Sequence, residues 1–416
     1  MLINPLGGSR ASFIVPIEAG LYAGHVLMLR TDDAPDPRQG LLVLVESCAP
    51  LHDTQLSHPP EPNGHHRRRL LGTIDVLAVF DGRDLLGAPV ALEYGSYWTA
   101  LPDVDVLKKY YGTVRAETVR EQPLEAALDV GNLLQNTVVP VRFASLGFGR
   151  HSAMFAQSGS GKSYSMGVLL EELVAKARIR LIVIDPNGDY SRIGSMRDVS
   201  GWPDDVRSVY VSEMENIVFA APGTVDDAEH VTDRCLQEHR RGVVLNLNRT
   251  EFQIWEDIVA GVVKRLWKQR NEKVPTLIVI DEAHHFAPAT GTSPSRDTAH
   301  ATLLRIAAEG RKFGLWLFLA TQRPLKLDDN IISQCDNLFV MKLTSRADTE
   351  HIARAYNAVS AEMVALAYGF RQGDALAVGR VVKSPTLLHF RTRNTLEGGA
   401  DLPNDWILPP ASGSRT

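Results

Sequence analysis

The chain reads as an α/β protein: a mostly parallel sheet flanked by helices, with a small N-terminal antiparallel β-barrel in front of it. Three features predict this. Ala156-Gln-Ser-Gly-Ser-Gly-Lys-Ser163 stands between a short apolar run and a helical stretch that opens at Tyr164, the layout of a strand, a phosphate-binding loop and a helix. Residues 179–185 and 276–281 are near-continuous β-branched and aliphatic runs, the composition of strands buried on both faces of a parallel sheet. From Ser12 to Leu92, short β segments alternate with turn residues, which favours a small antiparallel barrel over βαβ units.

At 416 residues the chain exceeds one average domain. The expected division is a barrel over 1–115, a phosphate-loop domain with its connector over 116–384, and a C-terminal strand and strap over 385–416. Acidic residues outnumber basic ones, 49 to 44, so any nucleic acid must be met by locally gathered positive charge. Cys48, Cys235 and Cys335 have no metal-ligand spacing and cannot all pair, which points to a reducing cytoplasmic compartment. The N-terminus lacks a basic and apolar leader, and no apolar run reaches about 18 residues, so a soluble protein without a membrane span is expected.

Taken in order, strands are expected at 13–17, 25–30, 41–46, 75–80 and 88–92. Between two of them, 51–69 carries several prolines and His65-His-Arg-Arg-Arg69, a solvated loop or a phosphate or partner contact. A polar, partly helical connector occupies 104–134, followed by a strand at 138–142. Beyond the phosphate loop come strands at 179–185, 209–212 and 243–247, a helix over 251–270, the strand at 276–281, a helix over 297–313 and a strand at 315–320. Residues 384–391 read as a late strand, and 398–410, rich in Gly, Pro and Asp, as an extended strap.

The chemistry concentrates at strand ends. Gly159 and Gly161 permit the tight turn whose N–H groups, with Ser158 and Ser160, cradle phosphate at the start of the helix that holds Tyr164. Lys162 reaches the β- and γ-phosphates of ATP, and the Ser163 hydroxyl is placed to ligate Mg²⁺. Ala156 replaces the usual first glycine, so the first bend is reached without a left-handed residue. Asp281 and Glu282 close an apolar strand: Asp281 serves the Mg²⁺ site, and Glu282 orients and polarises the attacking water. Asp185, ahead of Pro186-Asn-Gly-Asp189, either faces the phosphates and the Mg²⁺ shell or caps its own turn. Gln322 is the candidate γ-phosphate sensor, with Thr321 second, while Arg150, Arg305, Arg311 and Arg323 are candidates for the cation that phosphoryl transfer needs, often supplied by another subunit. His284 and His285 are adjacent and cannot place both rings on one helical face, which argues against a metal site.

Arg150-His151, Ile184-Asp-Pro-Asn-Gly-Asp-Tyr190, Ile280-Asp-Glu-Ala-His284, Glu309-Gly-Arg-Lys-Phe-Gly314, Ala320-Thr-Gln-Arg-Pro324 and Ile332-Ser-Gln-Cys335 together resemble the HerA family of FtsK-related ATPases. The resemblance spans essentially the whole chain and departs from the family pattern at Ala156 and Asn187. It implies a RecA-like motor behind the barrel, a strap lying on the next subunit, and a homo-hexameric ring that translocates double-stranded DNA with a separate nuclease or sirtuin-like effector subunit. It further implies nucleotide binding by Lys162 and Ser163, hydrolysis by Asp281 and Glu282, sensing by Gln322, and Arg150 as a finger supplied in trans. The alternative is an ATP-switched platform that organises an effector. DNA contacts are expected on the loops after the 185 and 281 strand ends, at Arg192, Arg197 and Arg296.

Overall fold

The computed structural model describes residues 1–30, 39–51, 69–87, 92–114, 118–119, 122–123, 126–289, 294–356 and 358–399, without the side chains of 118–119, 122–123 and 294–296. All but Leu51 and Arg69 of the loop expected at 51–69, all but Leu92 of the strand expected at 88–92, the Arg296 side chain and the strap beyond 399 lie outside the described residues.

Among the described residues the N-terminal sheet has eight strands. Its path runs Gly95–Ser96, Leu2–Gly7, Arg10–Pro16, Arg69–Phe80, Gly40–Pro50, Val26–Arg30 and Trp98–Ala100, with Leu85–Gly87 beside Arg69–Phe80. All pairings are antiparallel. Only Tyr97 separates the two end strands in sequence, so the sheet nearly closes on itself. Two-residue alternation sends Phe13, Val15, Leu27, Leu29, Val43, Val45 and Ile74 into the barrel interior. Met28, Leu42, Leu44, Ala78 and Phe80 share a second core with Val106, Leu107 and Tyr110 of the helix Val104–Tyr111. That core continues without a break into the rest of the chain.

Among the described residues the second sheet has eleven strands, ordered Asn136–Ala144, Ala127–Leu133, Thr386–Phe390, Asp374–Val378, Cys335–Val340, His151–Phe155, Leu315–Thr321, Thr276–Ile280, Arg180–Asp185, Gly242–Asn246 and Ile217–Ala220. From Cys335–Val340 to Ile217–Ala220 neighbouring strands are parallel. The other four attach antiparallel at one side. His151–Phe155, Arg180–Asp185 and Thr276–Ile280 are buried at every position, as their largely apolar composition requires, with polar residues only at their ends. The strand Leu315–Thr321 lies between the phosphate-loop strand and Thr276–Ile280.

One element is corrected. Residues 209–212 are not a strand but part of the helix Asp204–Glu215, and the edge strand follows at Ile217–Ala220. The alternating Val-Tyr-Val-Ser run suggested β structure, yet it is Tyr210 and Met214, four residues apart on one helical face, that are buried.

After Thr386–Phe390 the chain returns across the helix Lys162–Lys176 of its own subunit. That helix carries two buried carboxylates, Glu171 and Glu172. Arg391 pairs with each at 2.7 Å, and the Asn394 and Thr395 N–H groups donate to Glu171. Further on, Leu396 N donates to Ser195 O at 2.8 Å and Gly398 N to Asp189 O at 3.0 Å. The described start of the C-terminal segment therefore packs in cis.

Candidate active site

The site forms where three neighbouring strands end. Gly159 (φ 75°) and Gly161 (φ 87°) take left-handed conformations, and a Cβ at Gly161 would press on Gln372 and Gly373 at 3.3 Å. The helix then starts at Lys162, so its first N–H groups, those of Lys162, Ser163 and Tyr164, have no intrahelical acceptor and face the loop mouth. The Ser160 hydroxyl is buried with no hydrogen-bond partner, an orphaned polar group in the middle of an anion cradle. Tyr164 OH, one turn in, accepts from Arg393 N at 2.8 Å. Residues Ser158 to Ser163 thus supply the donors, cation and hydroxyl that a Mg²⁺–nucleoside triphosphate requires, and the fit is good.

Lys162 is buried and its Nζ is held between Asp281 Oδ1 and Glu282 Oε1, the latter at 2.8 Å. Burial alone would lower its pKa, but the two carboxylates hold it above the ordinary lysine value. Burial pushes Glu282 up, and the Lys162 charge more than offsets this, leaving the carboxyl below its ordinary value. Glu282 is therefore an ionised base at neutral pH. Its backbone is left-handed (φ 47°, ψ 43°), a strained conformation for a non-glycine residue that turns the carboxylate back across the strand end toward Lys162. Gln322 Nε2, from the end of the intervening strand, donates to Glu282 Oε1 at 2.8 Å.

His284 Nδ1 lies 2.9 Å from Thr321 Oγ1 and 3.4 Å from Glu282 Oε2. Burial, with His285 beside it, lowers its pKa to about 4, so it is a neutral hydrogen-bonding group. Asp185 Oδ1 accepts from Gly188 N and Asp189 N, and Oδ2 from Tyr190 N at 2.9 Å. Of its two readings, the turn cap is the one whose hydrogen bonds are present. Two residues of that turn, which sequence reasoning passed over, reach the site instead: Asp189 Oδ2 accepts from Ser163 Oγ, and Tyr190 OH donates to Asp281 Oδ2 at 3.2 Å.

The arginines are distributed elsewhere. Arg150 sits at the entry of the phosphate-loop strand, at the end of the sheet away from the loop, and pairs with Asp336 at 3.2 Å. Arg311 is exposed in the short helix Gly310–Phe313, also at the entry end of its strand. Arg305 lies over the Trp267 ring at 5.8 Å. Arg323 is exposed beside Gln322. Arg192 is exposed, whereas Arg197 bonds Thr395 O and lies 3.9 Å from Glu397.

Comparison with known proteins fits this geometry. The profile "Helicase HerA, central domain" matches residues 128–288, which hold the loop, the Asp185 turn and both strand-end carboxylates. Over this central region the chain is similar to the HerA family. A second profile, the ATPase family associated with various cellular activities (AAA), matches residues 234–343. The DNA double-strand break repair helicase HerA of Sulfolobus acidocaldarius is 31% identical over 39% of this chain and 34% of the relative. The helicase of the same name from Pyrococcus furiosus is 32% identical over 30% of this chain and 22% of the relative. The chain thus spans about a third or less of the length of these HerA relatives. Among solved structures, VirB4 of Thermoanaerobacter pseudethanolicus matches with a TM-score of 0.43 and 14% identity over 64% of this chain and 97% of that one, too distant to bear on function.

Proposed function

We propose that the chain is a Mg²⁺-dependent ATPase subunit of a cytoplasmic homo-hexameric ring that translocates double-stranded DNA and works with a separate nuclease or sirtuin-like effector, in antiphage defence or DNA end processing. The convergence of Lys162, Asp281, Glu282 and Gln322 carries the hydrolytic part of this reading. Lys162 is a buried cation that a polyphosphate can draw away from Glu282, and that exchange frees the carboxylate to take the proton of an attacking water. Gln322 holds Glu282 in line and reports on what occupies the space beside it. Ser163 and Asp281 would hold Mg²⁺, which would supply positive charge against the charge that develops in phosphoryl transfer.

Arg150 supports the ring. The strand it precedes has five residues, so Arg150 lies about 17 Å from its own phosphate loop, which speaks against a role there in cis. The DNA part of the reading rests on the similarity to DNA double-strand break repair helicases. Arg192 is an exposed basic residue beyond the Asp185 turn, and Arg323 is exposed at the mouth of the site itself. ATP turnover measured with and without duplex DNA tests the motor. Stimulation by duplex DNA of any sequence is expected; turnover indifferent to DNA but dependent on an added effector would favour the ATP-switched platform.

A further inference from the structure

The geometry points to the turn Pro186–Tyr190 as the outer shell of the metal site, with Asp189 and Tyr190 as positioning residues for the two metal ligands. This rests on the reading of Ser163 and Asp281 as those ligands. The two side chains leave one turn in different directions. Asp189 accepts the Ser163 hydroxyl proton, and Tyr190 donates to Asp281 Oδ2 at 3.2 Å. The other Asp281 oxygen is already engaged by Lys162 and by Glu282 N, the latter at 2.8 Å. Tyr190 and Asp281 are both fully buried.

A hydroxyl has one proton and two lone pairs. While Asp189 takes the Ser163 proton, both lone pairs are left for a cation, and the hydroxyl cannot rotate to donate elsewhere. Tyr190 likewise holds Asp281 Oδ2 and so fixes the orientation of the carboxylate whose Oδ1 meets Lys162. Outer-shell partners of this kind typically set metal affinity within 10–100-fold.

The turn is built to hold that aim. The Asp185 carboxylate takes three of its N–H groups, Gly188 adopts φ 82°, and a Cβ there would meet Asn248 Nδ2 at 2.5 Å. Gly398 N then grips the Asp189 carbonyl from the C-terminal segment. A bland alternative is that Asp189 merely caps the positive end of the helix Lys162–Lys176, which would affect stability and leave metal dependence alone.

Calorimetric titration of ADP in excess EDTA and in excess Mg²⁺ separates these roles. For Asp189→Asn, the affinity in EDTA should equal that of the parent protein while the enhancement by Mg²⁺ falls 10–100-fold. Asp189→Glu should recover part of it, and Tyr190→Phe, which removes one oxygen from a buried ring, should lose severalfold. Ser163→Ala combined with Asp189→Asn should lose no more than Ser163→Ala alone. An unchanged or increased Mg²⁺ enhancement in both Asp189→Asn and Tyr190→Phe, or additive losses in the double variant, overturns the proposal. A parent protein that binds no ADP under either condition instead overturns the nucleotide-site reading on which it rests.

Discussion

Replacing Glu282 by Gln removes a charge and a base while keeping a shape. Glu282 Oε1 accepts from Gln322 Nε2 and from Lys162 Nζ, each at 2.8 Å, and the glutamine carbonyl oxygen can occupy the same position and accept the same bonds. The loop from Ser158 to Ser163 is untouched, and Lys162 keeps Asp281 as its counter-ion. What disappears is the proton acceptor, whose contribution in general-base catalysis is about 10²–10⁴-fold. At about 1.4 kcal/mol per decade this raises the barrier by about 3–5 kcal/mol. Since Lys162 is freed from one of two carboxylates, ATP affinity should hold or rise. Phosphate release at saturating ATP and equilibrium nucleotide binding, measured on one preparation, should therefore diverge: kcat falls at least about 100-fold, and Kd does not weaken. A variant with kcat near that of the parent would refute the assignment of Glu282 as the base, and parallel loss of binding and turnover would show that its role is structural.

Lys162→Ala should abolish nucleotide binding and also destabilise the fold, by about 3–5 kcal/mol, because Asp281 is left buried without its partner; a Tm unchanged in the absence of nucleotide would contradict the buried pair. His151 accepts from Leu317 N at 2.9 Å inside the sheet, and burial lowers its pKa to about 4. A folded pKa below the unfolded value of 6.5 means that the unfolded chain binds the proton first. Stability is then retained above about pH 6.5 and lost toward pH 4, by about 3 kcal/mol. His151→Asn should flatten urea-denaturation midpoints across that window, and identical slopes would count against it. Ending the chain after Thr392 strips the Asn394 and Thr395 N–H donors from buried Glu171. Such a chain should lose about 3 kcal/mol or more, with a Tm shift independent of protein concentration; a shift that vanishes on dilution would instead mean that the segment stabilises a neighbour. Duplex DNA affinity should fall linearly with salt on logarithmic axes, by roughly −0.9 per phosphate neutralised, and Arg192→Ala should flatten the slope for all sequences alike.

Composition and spacing were enough to identify the parts whose chemistry is local. A glycine-rich turn ahead of Lys162 and Ser163 admits few backbone paths, and an unbroken apolar strand ending in Asp281 and Glu282 has nowhere to place those charges except at the edge of a core. The placement of Gln322 was legible because a strand of that composition at 315–320 had to lie inside the sheet. The helix at 204–215 was misread because local β propensity was outweighed by the burial of Tyr210 and Met214, a tertiary effect. Only the folded chain decides that Asp185 serves its own turn while Asp189 and Tyr190 reach Ser163 and Asp281, since those contacts join residues 26 and 91 positions apart. The same holds for Glu171 and Glu172. In sequence they are two charges in a helix, and their burial is tolerable because Lys176 pairs with Glu172 and Arg391, some 220 residues later, returns to pair with both. Sequence determines which groups can do phosphate chemistry, and long-range packing determines which carboxylate each of them meets.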